Sequence, residues 1–422
     1  METDSVKSFD VIVIGGGAAG IMAALSVKEH HPDFSVAILD QTFELGRKIL
    51  IAGAGRGNVS NSNLINGPAH FYHGNQTLIS SVFSQLGYKE IMIFLENLGV
   101  PLYEEKKTDK GKIFPYIDNA KTLRNILLDE LTNKGIQVYC NTPVQNAVKT
   151  NMGWKVTSKD QIFESSYLIL STGGKTYPAL GSDGSGYEIA RSVGHTIVEP
   201  VPCAVPLVSK NQLSQLLQGE KMVMKATAFL DGKQVSESVG DVMFTQYGFS
   251  GPAMLDVSYE ISVRINREKK SGASLRLSFF PRLSREEVSE ELKKRKEKHP
   301  SYIVSHLLWG LLTEKISNAI CVIAGISSER KASEMTEKEM NILVSTLTSF
   351  ESEVTGTRGW NEAEFTAGGV DGAGVDKKTL ESEKIKSLYF AGEVLDVDGM
   401  VGGYNLSWAW ASGWVAGQLG KK

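Results

Sequence analysis

The sequence predicts an α/β fold in which the two ends of the chain build one parallel sheet, with a β-rich domain and a helical subdomain inserted between them. Two glycine-rich turns, near residues 15–20 and 392–405, each follow an apolar strand and precede a helix. Between these turns, short alternating runs give way to helical patterns. The predicted segments are 1–193 and 356–422 for the two parts of the sheet domain, 194–282 for the β-rich domain and 283–355 for the helical subdomain.

Size, charge and cysteine content exclude several classes of protein. The chain has 422 residues and a formal net charge of -3. It therefore lacks the broad positive surface potential that attracts nucleic acids or anionic membranes. The polar, acidic start and the absence of long apolar runs predict neither a signal peptide nor a membrane span. Three cysteines without CxxC spacing predict neither a disulfide framework nor a zinc site. We expect a cytoplasmic protein with a small-molecule substrate and no metal, nucleic-acid or membrane partner; its oligomeric state is not predictable.

The first glycine-rich turn lies within a strand, turn, helix, strand unit. The apolar run Val11–Ile14 leads into Gly15, Gly17 and Gly20, which match G-x-G-x-x-G, and Asp40 ends the second strand. In such a unit the glycines permit close approach of a pyrophosphate to the helix N-terminus, and the carboxylate accepts the adenosine ribose hydroxyls. The unit predicts a Rossmann-like site for FAD or NAD rather than NADP. The predicted ligands are Gly15, Gly17, Ala18, Ala19, Gly20, Asp40 and Gln41.

The second glycine-rich turn decides between FAD and NAD. An apolar strand at 388–390 runs into Gly392 and Glu393, and a helix rich in small residues starts near Gly403. N–H groups at that helix start would stabilise the negative charge of a reduced flavin. Ordinary NAD sites need nothing from the distant C-terminal segment, whereas FAD needs its ring and ribityl chain held beyond the first unit, so FAD is predicted. The ligands predicted here are Gly392, Glu393, Asp396, Gly402, Gly403, Tyr404 and Asn405.

The stretch 389–413 resembles the closing FAD motif of two-dinucleotide-binding flavoproteins. More narrowly, it resembles the bacterial BaiN/YhiN-like family, described as aminoacetone-oxidase-like FAD-binding enzymes and containing reductases of unsaturated 3-oxo bile acids. Five further segments match in order: LGRKILIAGAGRGNVSNSN (45–63), GKIFP (111–115), STGGKTYPALGSDGSGY (171–187), QYGFSGPAMLDVS (246–258) and FTAGGV (365–370). The family often has G-R-C-N where this chain has Gly57 in place of the cysteine, which puts in question any mechanism that needs this thiol.

Two internal loops supply further candidate ligands. The loop after Asp40 carries cations among glycines, and such a loop can follow a pyrophosphate with backbone donors and a balancing charge. Solvated surface charge is the alternative for each cation. The STGG turn is similar to a segment of fumarate-reductase-type flavoproteins that abuts the nucleotide side of the cofactor, with a plain αβ connection as the alternative for GSDGSGY. The candidates are Arg47, Lys48, Asn58, Val144, Thr172 and Gly173.

Hydride transfer is the chemistry that the sequence favours, because no hydrolase, zinc-protease or Walker motif is present. The resemblance implies that NAD(P)H, docking transiently, reduces FAD, and that flavin N5 passes hydride to an activated C=C of an enone-like, steroid- or bile-acid-like molecule. The substrate is expected where the insertion faces the flavin. The proton donor is unknown, with Tyr177, Tyr247 and Tyr404 as unranked candidates. Two alternatives stay open: an amine oxidase that uses oxygen, and a flavin-dependent protein that modifies or binds RNA.

Overall fold

A computed structural model describes residues 6–68, 70–106, 110–159 and 161–420. Residues 1–5, part of the polar start for which no signal peptide is expected, lie outside the described residues. The chain divides into two compact units, unit 1 (Met1–Pro200 and Phe365–Lys422) and unit 2 (Val201–Glu364). The insertion predicted at 194–355 differs from unit 2 by seven residues at its start and nine at its end.

The elements are numbered in chain order. Those up to the start of unit 2 are β1 (Lys7–Ile14), α1 (Ala18–His30), β2 (Val36–Leu39), β3 (Ser60–Asn61), β4 (Tyr72–Gly74), α2 (Gln76–Phe83), α3 (Tyr88–Asn97), β5 (Leu102–Glu104), β6 (Lys112–Pro115), α4 (Ala120–Asn133), β7 (Gln137–Tyr139), β8 (Val144–Thr150), β9 (Gly153–Ser158), β10 (Ile162–Leu170), α5 (Ser185–Ser192) and β11 (Ile197–Cys203).

Unit 2 contains β12 (Leu207–Val208), α6 (Gln212–Leu216), β13 (Lys221–Leu230), β14 (Lys233–Thr245), β15 (Gly248–Ser250), α7 (Pro252–Ser262), β16 (Ala273–Ser278), α8 (Arg285–Lys298), α9 (Glu314–Ala324), α10 (Glu337–Thr348), β17 (Phe350–Glu353) and β18 (Gly356–Thr357). The chain then returns to unit 1 with β19 (Phe365–Val370), β20 (Leu388–Phe390), β21 (Val397–Gly399) and α11 (Tyr404–Gly417).

The main sheet of unit 1 is parallel across β7, β2, β1, β10 and β20. The first half of β10 also pairs with β9 in the antiparallel hairpin β8–β9, and its second half pairs with β20. Ile14, Leu170 and Phe390, at the carboxyl ends of β1, β10 and β20, are register partners. The loops that follow these three strands therefore start side by side, at the sheet edge where open α/β folds bind their ligands.

Helices from the two ends of the chain pack closely against the same sheet. A Cβ on Gly413 would overlap the Ala19 carbonyl oxygen, and a Cβ on Gly417 would overlap the Ala23 carbonyl oxygen. The Ser26 hydroxyl also donates to the Trp414 carbonyl at 2.6 Å. Glycines in α11 thus let its backbone approach α1, which fixes the last helix of the chain against the first.

Unit 2 is organised around one seven-stranded sheet in the order β17-β16-β13-β14-β15-β12-β18. Strand β17 comes from the segment predicted to be a helical subdomain, and it pairs antiparallel with β16. Leu275 of the sheet and Leu292 and Leu343 of the helices are buried in one hydrophobic core. Residues 283–355 therefore do not form a separate body, because their apolar helix faces are covered by the sheet that residues 194–282 begin.

The described residues contain neither a single membrane-spanning helix nor a metal-binding cluster. No single helix in this part of the chain is long and apolar enough to cross a membrane; α2 and α3, bent by 44°, meet the length and composition requirement only as a pair. No group of three or more His, Cys, Asp or Glu side chains among these residues could hold a metal ion. Cys140, Cys203 and Cys321 form no disulfide among the described residues, and Cys203 and Cys321 are buried.

A buried histidine connects β20 to the loop before it. The His195 side chain lies edge-on to Phe390 at 4.7 Å, and its Nε2 lies 2.7 Å from the Ser382 hydroxyl. That hydroxyl oxygen already accepts from the N–H groups of Lys384 and Ile385, so its own proton points to Nε2. Burial, followed by the charge of Lys384, lowers the pKa of His195 from its ordinary 6.5. The folded protein therefore favours the neutral imidazole.

We expect the free energy of unfolding to decrease as the pH falls below about 6.5, because the unfolded chain binds a proton at this imidazole before the folded chain does. The contribution of His195 is complete above this pH and is lost as the pH falls through the lower pKa of the folded state. In His195→Gln the amide oxygen can still accept from Ser382, and the decrease should be shallower. Urea unfolding at several pH values between about 7 and 5 measures both slopes. Equal slopes would contradict the prediction.

Candidate functional site

The three glycines of the first turn have different surroundings. Gly15 has a left-handed backbone, φ +99°, and a Cβ there would lie 2.6 Å from the Ser171 carbonyl oxygen at the end of β10. A Cβ on Gly20 would overlap the Gly15 carbonyl oxygen, so this glycine permits close packing of helix on strand. A Cβ on Gly17 would meet nothing within 4 Å. The first and third glycines serve the fold, and the second faces open space.

The open space at Gly17 adjoins the N-terminus of α1. Gly17 is the N-cap, no side chain caps this end, and the first turn contains no acidic residue. Ala18 and Ala19 open the helix with small side chains. Exposed N–H groups and a positive helix end make this a favourable position for a phosphate.

Asp40 holds the turn from the neighbouring strand. Its Oδ2 accepts from the Gly16 N–H at 2.7 Å, and its Oδ1 accepts from the Thr42 N–H at 2.7 Å. The Asp40 carbonyl accepts from the Thr142 N–H. Val144, a predicted ligand and the first residue of β8, follows Thr142 by two positions. The Gln41 amide donates to the Gly181 carbonyl at 2.9 Å, so this side chain ties the edge to the loop after β10.

Asp40→Asn is expected to lower FAD affinity by about 10- to 100-fold, because the amide presents donors where Gly16 and a ribose hydroxyl require acceptors. Equilibrium titration of the FAD-free protein with FAD measures the dissociation constant. Asp10→Asn is a matched control, because Asp10 also accepts from the chain, through the N–H and the hydroxyl of Ser35 at 2.7 Å each. Asp10 lies in β1 before the buried run and not at its carboxyl end. Equal losses of affinity in both variants would show that Asp40 acts through the fold alone.

Glu393 joins four segments around the carboxyl ends of the strands. Its Oε2 accepts from Lys48 Nζ at 2.8 Å and from the Gly174 N–H at 3.3 Å. Its Oε1 accepts from the Thr366 N–H at 2.8 Å. Lys48 Nζ also donates to the Thr176 hydroxyl at 3.1 Å. The cation predicted to balance a pyrophosphate is thus neutralised within the protein, and Thr366, in the FTAGGV strand, is a contributor that the sequence did not single out.

The two arginines of the same loop also hold protein segments. Arg47 donates to the Ala179 carbonyl at 2.7 Å and lies over the Phe43 ring at 4.7 Å. Arg56 pairs with Glu105 at 2.6 Å and with Asp118 at 3.1 Å. Both guanidinium groups hold loop segments in place. The sequence alone does not distinguish this role from phosphate binding.

The C-terminal turn packs directly on the first helix and on the loop before β3. A Cβ on Gly392 would lie 2.7 Å from the Ala19 side chain. Gly402 and Gly403 have φ values of +128° and +99°. A Cβ on Gly403 would overlap the Ser60 carbonyl oxygen and lie 2.8 Å from Asn58 Oδ1. The structure therefore brings the two predicted turns together at one edge of the sheet.

Two predicted ligands carry buried polar atoms without a protein partner. Asn58 Oδ1 and Thr172 Oγ1 are buried, and the described residues supply no hydrogen-bond partner for either atom. Thr172 adjoins both Gly15 of the first turn and Gly186 at the start of α5, and Gly173 is left-handed with φ +74°. Buried polar atoms are nearly always satisfied, so these two positions fit a polar ligand.

The comparisons with known proteins assign this arrangement to a family. The sequence pattern described as the HI0933-like protein Rossmann domain matches residues 9–419. The chain belongs to the HI0933-like family. A 3-dehydro-bile acid Δ(4,6)-reductase of Clostridium scindens is 33% identical over 96% of this chain and 97% of that protein. Ribosomal RNA dihydrouridine synthases of Haemophilus influenzae and Escherichia coli are 29% and 28% identical, over 96% and 98% of this chain and the same shares of those proteins. The predicted BaiN/YhiN-like resemblance is thereby confirmed.

Solved structures show the same fold at low identity. The FrdA subunit of E. coli quinol-fumarate reductase has a TM-score of 0.50 at 14% identity, covering 98% of this chain and 70% of that chain. The 3-ketosteroid Δ1-dehydrogenase of Sterolibacterium denitrificans, in complex with 1,4-androstadiene-3,17-dione, has a TM-score of 0.50 at 11% identity, covering 98% and 99%. The predicted Rossmann-like α/β fold is confirmed, and this member of the HI0933-like family is an FAD-dependent oxidoreductase.

The residues at the sheet edge fit FAD. The open space at Gly17, the uncapped start of α1 and the unsatisfied atoms of Asn58 and Thr172 are the features that an elongated, polar cofactor requires. When bound, FAD supplies hydride at N5. We predict that the first turn and Asp40 hold its nucleotide half and that the turn at 402–405 holds its ring.

Gly57, where this chain departs from the family, lies at a closely packed position with a left-handed backbone. Gly57 is buried with φ +84°, and a Cβ there would lie 3.3 Å from Ala120 Cα and 3.5 Å from Pro115 Cγ. A side chain at this position would be directed toward the start of α4 and would hold a strained backbone. In this member of the HI0933-like family glycine suits the position, and residue 57 carries no thiol.

The three tyrosines considered as proton donors have different surroundings. Tyr404 is buried, stacks on Phe71 at 4.8 Å, and its hydroxyl accepts from the Asn63 amide at 3.2 Å. Burial raises the pKa of Tyr404, which makes its hydroxyl a weaker acid. Tyr177, in unit 1, has a left-handed backbone with φ 57°. Tyr247, in unit 2, lies in the turn between β14 and β15 beneath the Arg358 guanidinium at 4.6 Å.

Proposed function

We propose that this protein uses NAD(P)H to reduce a carbon–carbon double bond conjugated to a carbonyl group in a steroid-like small molecule. The observation that carries the proposal is the 33% identity, over nearly the full length of both chains, to a protein named for reduction of 3-dehydro-bile acids. The relatives named for dihydrouridine synthesis support the same chemistry, because the 5,6 double bond of uracil is also conjugated to a carbonyl. Reduction of an activated double bond is the reaction common to these names.

The protein's task in this reaction is to position the substrate, exclude water and supply a proton. The hydride and its electrons come from NAD(P)H by way of FAD, so the chain needs no nucleophile or metal of its own. The β-carbon of the unsaturated ketone takes the hydride, and the α-carbon takes a proton. This division of roles supports a search for an acid beside the turn at 402–405.

Charge distribution favours a small molecule over RNA. Residues 201–364 contain as many Lys and Arg residues as Asp and Glu residues, and the whole chain has a net charge of -3. Within the basic run of α8, Arg295 pairs with Glu291 at 2.7 Å and Lys293 pairs with Glu337 at 3.5 Å. RNA binding depends on uncompensated cations that displace counterions.

Anaerobic spectroscopy tests the proposal. The FAD-loaded protein is mixed with NADH or NADPH, and the flavin absorbance should bleach; a Δ4-3-ketosteroid or 3-oxo-Δ4 bile acid should then restore it with formation of the saturated ketone. A simple quinone, a primary amine and a uridine-containing ribosomal RNA fragment form the comparison panel. Reoxidation by the RNA alone, or bleaching by the amine followed by peroxide release in air, would overturn the assignment.

A further inference from the structure

A histidine and a buried aspartate lie side by side on the ribbon formed by β4 and β21. The antiparallel register pairs Tyr72 with Gly399 and His73 with Asp398, so the latter two side chains project from the same face. His73 Nδ1 lies 3.0 Å from Asp398 Oδ1. The Asp398 side chain is 2% exposed, whereas the His73 side chain is 42% exposed. A buried carboxylate therefore holds an imidazole that solvent can reach.

This ribbon is bound to the turn predicted to hold the flavin ring. The Gly399 N–H donates to Asn405 Oδ1 at 2.8 Å, and the Asn405 amide donates back to the Gly399 carbonyl at 2.7 Å. The Tyr72 hydroxyl donates to the Tyr404 carbonyl at 2.7 Å. Phe71, the residue before β4, stacks on the Tyr404 ring at 4.8 Å. The ribbon that carries His73 and Asp398 is therefore anchored beside the turn at 402–405.

The pair has the arrangement of an acid or base catalyst. An imidazole changes its charge near neutral pH, unlike a tyrosine hydroxyl. A carboxylate that accepts the Nδ1–H fixes the tautomer and orientation of the ring and stabilises the imidazolium. The Tyr404 hydroxyl, which adjoins the same turn, is buried and has a raised pKa. Of the two, the histidine is the better proton donor.

We propose that His73 is the proton donor of the reduction and that Asp398 is its positioning residue; this assignment rests on the function proposed above. A C–H bond forms at the β-carbon from the hydride that NAD(P)H supplies through FAD. The π electrons of the broken double bond form the second C–H bond at the α-carbon with the proton of the His73 imidazolium. The neutral imidazole then regains a proton from water, so NAD(P)H and one proton are consumed for each double bond reduced.

The first experiment separates the two half-reactions in His73→Gln. The glutamine amide can still donate to Asp398 but carries no proton to transfer near neutral pH. We expect flavin reduction by NAD(P)H and the FAD dissociation constant to stay within about twofold of the parent. Reoxidation by the unsaturated ketone should slow by about 100- to 10,000-fold, the usual range for loss of a general acid. His70→Gln, at an exposed histidine three positions earlier, is the matched control and should match the parent in every step.

The second experiment examines the pair without turnover. Nitrogen NMR of the FAD-free protein, labelled at histidine, should report a His73 ring protonated at Nδ1 in the parent. Asp398→Asn should change this tautomer population. The same variant should slow reoxidation while FAD affinity falls by less than about threefold.

Each outcome bears on the proposal. Parent-like reoxidation in His73→Gln would overturn the assignment while leaving the proposed function intact, and Tyr177, Tyr247 and Tyr404 would then be tested in the same assay. Equal loss of FAD affinity and of reoxidation rate would show a structural role for His73. Failure of the parent protein to reduce any unsaturated ketone would overturn the proposed function and the assignment with it, even if the NMR result were as expected.

Discussion

Gly17→Asp is expected to raise the FAD dissociation constant at least about 100-fold, which corresponds to about 2.7 kcal/mol, without lowering the stability of the FAD-free protein. The new side chain fits because a Cβ on Gly17 meets nothing within 4 Å and the backbone there has φ -76°. Aspartate is a strong N-cap and interacts favourably with a helix start, so the free protein should be equally or more stable. The same carboxylate occupies the predicted pyrophosphate position and repels it. Titration with FAD and thermal unfolding of the FAD-free protein measure the two opposite effects.

Two further variants locate the effect of this change. Gly17→Ser fills part of the same space without charge, so its FAD affinity should lie between those of the parent and Gly17→Asp. Gly20→Ala places a Cβ against the Gly15 carbonyl oxygen and should destabilise the free protein. If Gly17→Asp kept parent affinity for FAD, the pyrophosphate would not lie at the start of α1.

Glu393→Ala is expected to lower the free energy of unfolding of the FAD-free protein by about 3 kcal/mol. The change removes the acceptor of Lys48 and of two backbone N–H groups, Gly174 and Thr366, in a partly buried setting. The Glu393 side chain is 18% exposed, so solvent can replace only part of what is lost. Urea unfolding measures the difference between variant and parent.

A surface ion pair provides the matched control for this prediction. Glu188 pairs with Arg191 one turn along α5, and both side chains are exposed. Glu188→Ala should change the free energy of unfolding by less than about 0.5 kcal/mol, because exposed pairs contribute little. In the double variant Lys48→Met with Glu393→Gln, the loss should be smaller than the sum of the single losses. Similar effects of Glu393→Ala and Glu188→Ala would refute the role of Glu393 in joining the segments around the carboxyl ends of the strands.

Local pattern was sufficient to predict the parts of the site that depend on short-range geometry. The spacing of Gly15, Gly17 and Gly20 corresponds to two close backbone contacts, at Gly15 and Gly20, and to open space at Gly17. Local pattern could not predict which groups the charged side chains contact. Lys48 and Glu393 are 345 residues apart, and no single-sequence signal shows that they form an ion pair. The His73 and Asp398 pair depends on a register between two three-residue strands, too short for a periodic pattern.

The extent of the insertion was also predicted only approximately. Alternating and helical patterns between residues 194 and 355 indicated two bodies, because periodicity describes each element separately. Unit 2 has one hydrophobic core. Strand β17, which follows α8, α9 and α10 in the chain, adds to the sheet by pairing with β16. Pairing between strands distant in sequence is set by which apolar faces cover one another, and that is a tertiary property.

The register of Ile14, Leu170 and Phe390 has a consequence for synthesis of the chain. Strand β20 joins the sheet late and helix α11 ends at Gly417, so a ribosome-bound chain that has not reached residue 417 cannot assemble the whole of the predicted cofactor site. Pairing of β11 with β19 brings the two ends of the insertion together. If unit 2 has already folded, the loop to be closed is effectively short, and its entropic cost is reduced. Folding of the insertion thus prepares the late closure, which we expect to precede the binding of FAD.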